Sequence, residues 1–227
     1  MKNISKDKKY NLMRTIIVLL VYLLYQFVFM SISNMFKETD SVLINFIADV
    51  CFLAFILIIY KDKVESDISE YHKNYNTKKR ILLTAGWVLI IFVANILGSF
   101  TGSLIANLSK TENNLALFSL PYIYTFFKTL IFSSIAEELV FKQSIRDVVD
   151  NNIVFILVST VLYAVLNIAY TKLSGLSILA NMIPYALFAI VSGILYIRHK
   201  DNIYVVMTVK ICYNLIPFAI MILGGVG

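Results

Sequence analysis

Runs of about 20 apolar residues, separated by short polar stretches, dominate the chain. Seven can be read, over residues 15–33, 41–60, 81–104, 117–141, 153–171, 176–197 and 203–223. At about 1.5 Å per residue, a helix of each run matches the roughly 30 Å hydrocarbon core of a bilayer. Barrel strands are only about 10 residues long and alternate apolar with polar positions, which these runs do not. The pattern therefore predicts an all-α, polytopic membrane protein with about seven transmembrane helices. A single membrane domain over residues 1–227 is expected, because the longest segment between runs, 61–80, spans only 20 residues and is read as a loop. The first run lacks a small-residue cleavage site followed by a soluble region, so it is read as a span and not as a cleaved signal.

Composition narrows the function classes. The chain is 59% hydrophobic and 15% charged, against about 45–50% and about 25% in soluble domains. A soluble enzyme, a disordered chain and a disulfide-stapled secreted domain are excluded. The formal charge of +6 is a matter of topology. Fifteen Lys and Arg residues fall in one set of inter-run segments and three (Lys37, Lys110, Lys172) in the other. This asymmetry predicts a cytoplasmic N-terminus and an outside C-terminus. The basic segments are expected to contact anionic lipid. Nucleic acid is not an expected partner, since no basic stripe is interleaved with exposed aromatics. Abundant Ile, Asn and Lys fit an AT-rich bacterial genome, so the expected location is a bacterial plasma membrane. Cys51 and Cys212 lie within runs and are read as packing residues. The two histidines, His72 and His199, lie between runs, so neither a metal site nor a cofactor is expected.

Charges at bilayer depth are costly and mark candidate sites. Five fall within the runs: Asp49, Lys128, Glu137, Glu138 and Lys210. Asp49 and Lys128 lie at similar depth and are read as an ion pair that sets helix register. Glu137 lies 14 residues before Asn151, at the join of the fourth and fifth runs, and Asn167 lies 16 after it. Antiparallel packing brings the two to similar depth. Lys210 and Asn214 share one face of the last run as an i, i+4 pair. These residues are expected to converge on one polar cavity. Over all five charges within the runs, three acids (Asp49, Glu137, Glu138) face two lysines (Lys128, Lys210), so one carboxylate is left to be protonated, hydrated or paired with Lys142.

The segment Ala136-Glu137-Glu138-Leu139-Val140-Phe141-Lys142 resembles the first motif of the CPBP (CAAX protease and bacteriocin-processing, or Abi) intramembrane proteases. That motif has two glutamates followed, after three residues, by arginine. Tyr163-Ala164-Val165-Leu166-Asn167 sits where the family carries Phe-x-x-x-His, and Lys210-Ile211-Cys212-Tyr213-Asn214 where it carries His-x-x-x-Asn. The resemblance covers roughly residues 117–223. It implies a helical membrane core in which a glutamate activates water, a histidine assists, and histidine with asparagine stabilises the oxyanion. The corresponding residues here are Glu137, Glu138, Lys142, Asn167, Lys210 and Asn214. Lys142 replaces the arginine and loses its bidentate fork. Asn167 and Lys210 replace both histidines, the groups that shuttle protons near neutral pH.

Three readings follow. The chain is a CAAX-protease-like protein with a degraded site, acting as a membrane scaffold, regulator or bacteriocin-immunity-type factor. Alternatively, it is an active glutamate-dependent endopeptidase, with Lys210 and the asparagines binding the oxyanion. A third possibility is a small proton-coupled transporter. The expected partner or substrate is a membrane protein or peptide.

Overall fold

The structure, a computed structural model, describes residues 2–33, 35, 38–106, 121–169 and 175–223. Among these residues it is all-α, with no strand. The elements are α1 (Lys2–Ser33), α2 (Glu38–Ile59), α3 (Lys61–Asn74), α4 (Thr77–Ala106), α5 (122–146), α6 (Asn152–Ile168), α7 (Leu176–Arg198) and α8 (Ile203–Leu223). Wherever the seven predicted runs are described, they are helical apart from Tyr60, Pro121 and Ala169 at helix ends. Five helices (α1, α2, α4, α7 and α8) are long and apolar enough to cross a membrane. α6 has 17 residues, about 25 Å of helix. The start of the fourth run, the end of the fifth, Lys37, Lys110, Lys172 and the 224–227 tail lie outside the described residues.

One expectation is corrected. Residues 61–80 are not a loop, because most of the segment is α3. Its sequence is too charged to register as an apolar run. Yet Val64, Asp67 and Tyr71 recur at helical spacing, and the last two are buried. The amphipathic face was therefore legible in the period, though not in the mean hydropathy.

Local chemistry sets the helix ends. The Asn151 side chain accepts from Ile153 N (2.9 Å) and Val154 N (3.1 Å), capping α6 where the polar Asp-Asn-Asn stretch predicts a turn. α8 is capped from a distance. Buried Asp67 of α3 accepts from Ile203 N at 2.7 Å, and Asn202 Oδ1 accepts from Val205 N at 3.1 Å. α4 and α7 pack against each other along small residues. A Cβ on Gly98 would lie 2.8 Å from Pro184 Cα, and one on Gly102 would lie 2.6 Å from the Ala180 carbonyl oxygen. Close backbone approach through small residues replaces the hydrophobic drive that lipid cannot supply between helices.

α5 sits at the centre, against α1, α2, α6 and α8. Phe132, Ala136, Leu139, Val140 and Phe141 have no exposed surface. Outward-facing Ile58, Leu89 and Ile153 are left bare, as an apolar solvent requires. At one end of the bundle, Arg14 of α1 pairs with Asp147 at 2.6 Å, and Arg146 pairs with Asp201 at 2.9 Å.

Candidate functional site

The carrier of the two glutamates is not an ordinary α-helix. After a short α-helical turn, Tyr122–Phe126, α5 winds as a π-helix over Phe127–Glu137 and again over Leu139–Gln143. π-helical turns are rare and recur at functional sites. A wider turn separates consecutive side chains by less than the ~100° of an α-helix. Adjacent Glu137 and Glu138 can therefore reach one partner together.

That partner is Lys210. Its Nζ donates to Glu137 Oε2 at 3.0 Å and to Glu138 Oε1 at 2.8 Å. The cluster is dry: side-chain exposure is 3% for Lys210, 12% for Glu137 and 1% for Glu138. Ser133 Oγ donates to the same Glu137 oxygen at 3.1 Å. The rings of Tyr163 and Phe188 each lie 5.2 Å from the Lys210 ammonium and stack on one another. Their faces supply cation–π attraction and exclude lipid.

Two polar atoms at the cluster lack partners. Glu138 Oε2 and Lys142 Nζ are buried without a hydrogen bond among the described residues. Lys142 has no exposed surface, and its Nζ lies 5.6 Å from the Tyr163 ring centre. It makes no ion pair within 4.0 Å among the described residues. The charge count from sequence nevertheless closes, since burying Lys142 gives three cations for the three acids.

Asn214 is one turn from Lys210. Its Nδ2 donates to the Thr129 carbonyl at 2.7 Å and to Ser134 Oγ at 3.1 Å, tying α8 to the π-helical part of α5. Asn167 is not hydrogen-bonded to this group. Its amide donates to Tyr163 O, four residues back on its own helix, at 2.8 Å. Thus Glu137, Glu138 and Lys210 are in direct contact, with Lys142 buried nearby. Asn214 braces the helices, and Asn167 bonds its own backbone.

Asp49 and Lys128 form a separate pair, with Nζ 2.8 and 2.9 Å from the two carboxylate oxygens. Tyr124 donates to Asp49 Oδ2 at 3.0 Å, and Tyr25 donates to Oδ1. Nothing in the aromatic run 122–127 singles Tyr124 out as a hydrogen-bond donor. Ser133 was likewise not evident, although it stands four residues before Glu137.

Chemically, the main cluster is two carboxylates bridged by an ammonium, with the buried Glu138 Oε2 left without a hydrogen bond among the described residues. A glutamate acting on water needs a water within hydrogen-bond reach of its carboxylate. Here Lys210 holds one oxygen of each glutamate, Glu137 Oε2 and Glu138 Oε1, and Glu138 Oε2 is buried without a hydrogen bond among the described residues. Residues 118–216 match the family described as type II CAAX prenyl endopeptidase, Rce1-like, which supports the CPBP/CAAX-protease-like family that the glutamate motif resembles. The match runs from α5 into α8. No curated protein and no solved structure matches the chain.

Proposed function

We propose that this CAAX-protease-like membrane protein keeps its glutamate site shut with Lys210 and serves as a membrane scaffold or regulator, a bacteriocin-immunity-type factor being one form of that role. The observation that carries this reading is the Lys210 ammonium, seated 3.0 and 2.8 Å from Glu137 and Glu138. An ammonium there competes with any water for the carboxylates and offsets one of their two charges. Neither Asn167 nor Lys210 replaces what a histidine would add, a proton shuttle near neutral pH. Loss of a general acid–base alone lowers rates by about 10²–10⁴-fold.

The test compares protein termini in host membranes. A deletion strain carries the wild-type gene, the Glu137→Gln, Glu138→Gln double variant, or that variant with Lys210→Met added to remove the unpaired cation. Expression is matched. Identical termini in all three, with retained co-purification of the same membrane proteins, are expected. Termini that depend on the glutamates would overturn the reading. They would favour the second reading, an active endopeptidase, which the unpartnered Glu138 Oε2 supports as the free base.

A further inference from the structure

A groove on the opposite face of α8 belongs to no part of the glutamate cluster. It has a volume of about 440 Å³ and lies between α3, α4 and α8, within the roughly 300–1,000 Å³ of ligand sites. Thr208 and Cys212 line it from α8. They share one helix face, and Lys210 and Asn214 lie on another.

The groove is graded along its length. Tyr71 and Arg80 line it near the junction of α3 and α4, and Ala85, Val88 and Cys212 line it further along α4 and α8. Arg80 and Val88 are eight residues apart on α4, or about 12 Å along the axis. Arg80 is held in place by its own donors: Nε bonds Tyr75 O at 2.7 Å and Nη2 bonds His72 O at 2.9 Å. Its guanidinium also stacks over Tyr71 at 5.4 Å. Nη1 makes no hydrogen bond among the described residues and is left as a donor. Residues 70–80 add exposed Lys73, Lys78 and Lys79 against one acid, Glu70.

We propose that this groove holds one acyl chain of an anionic phospholipid, with the headgroup phosphate at Arg80. An oriented cation above an apolar channel, at a helix end, complements an amphiphile with a negative head. A zwitterionic lipid offers the same chain but no net charge to the basic rim. Grooves that merely collect bilayer lipid would not distinguish the two.

The protein carries its own reporter. Cys212 lines the groove, and the other cysteine, Cys51, is exposed elsewhere and can be changed to serine. Full-length Cys51→Ser protein, delipidated in detergent, is mixed with phosphatidylglycerol or phosphatidylcholine of identical chains. Bound lipid is counted by native mass spectrometry, and Cys212 labelling by a maleimide is timed. Phosphatidylglycerol is expected to be retained preferentially and to slow labelling. Ala85→Trp, at an exposed groove position, should abolish both effects. Ile90→Trp, an exposed position on the other side of the same helix, should change neither and controls for folding. Removing one rim charge, Lys78→Gln or Lys79→Gln, should lower the preference by about fivefold. Equal retention of the two lipids would overturn the proposal, as would Cys212 labelling indifferent to phosphatidylglycerol.

Discussion

Replacing Lys210 by methionine keeps the length and most of the volume of the side chain while deleting its charge. Two carboxylates on consecutive residues of α5 would then face each other with no cation in contact. At about 3 Å, and with an effective dielectric constant of about 20, each ion contact is worth about 5–6 kcal/mol in gross attraction. Desolvation of three nearly dry groups offsets most of that. What an experiment reads is the uncompensated remainder, about 3–5 kcal/mol for removing one member of a buried pair. The lost contacts with Tyr163 and Phe188, each 5.2 Å away, push toward the upper end. For a chain of this size, about 1 kcal/mol shifts Tm by roughly 2–4 °C. Lys210→Met should therefore lower Tm in mild detergent by roughly 6–20 °C. The triple variant Glu137→Gln, Glu138→Gln, Lys210→Met should recover most of the loss, because it removes both signs of charge together. Denaturant or thermal unfolding of the single, double and triple variants closes the cycle. A Lys210→Met loss below about 1 kcal/mol, additive with the glutamine changes, would refute the claim that Lys210 bridges both glutamates.

Asp49→Asn should destabilise by about 3–5 kcal/mol, since it strands the Lys128 ammonium and weakens two tyrosine hydrogen bonds. Adding Lys128→Met should restore part of the loss in the same unfolding assay. Gly102→Ala should cost about 1–3 kcal/mol, because the new Cβ meets a backbone carbonyl on α7. Gly86→Ala meets nothing within 4 Å and should be neutral or stabilise by up to about 1 kcal/mol. His199, at the α7–α8 turn, accepts or donates a 2.9 Å hydrogen bond with Tyr75. Burial, and then the neighbouring Arg198, holds its pKa below the ordinary 6.5. The unfolded chain therefore takes up the proton first, and stability should fall as pH drops below 6.5. A His199→Gln variant should flatten that slope in Tm-against-pH scans.

Membrane class and span positions were legible because both depend on local quantities: run length and mean apolarity. The turn before α6 was legible for a similar reason, since Asn151 caps its own helix. The Asp49–Lys128 pair followed from depth alone, because a lipid interior leaves buried charges few partners. α3 was hidden in a charged segment because its stability comes from docking Asp67 and Tyr71 against the 199–204 region, through contacts such as Asp67 with Ile203 N.

At the glutamate cluster, residue identity and depth were set by the one-dimensional order of the motifs. Side-chain direction was not. The Asn167 amide turns back to Tyr163 O on its own helix. Lys142 is buried, although the sequence counts it with the basic residues between runs and leaves its pairing with a carboxylate as one of three outcomes. The π-helical winding of α5 decides the rest. Changing the number of residues per turn re-aims every later side chain by an angle that accumulates along the helix. Hydrophobic pattern reports burial on a mostly apolar core helix only coarsely. Run length and hydropathy alone thus marked Asp49, Lys128, Glu137, Glu138 and Lys210 as charges on apolar helices, and missed the burial of Lys142. Only the packing of α5 against α8 decided that Lys210 would sit between two glutamates, because that contact depends on helix winding and the meeting of residues 72 and 73 positions apart.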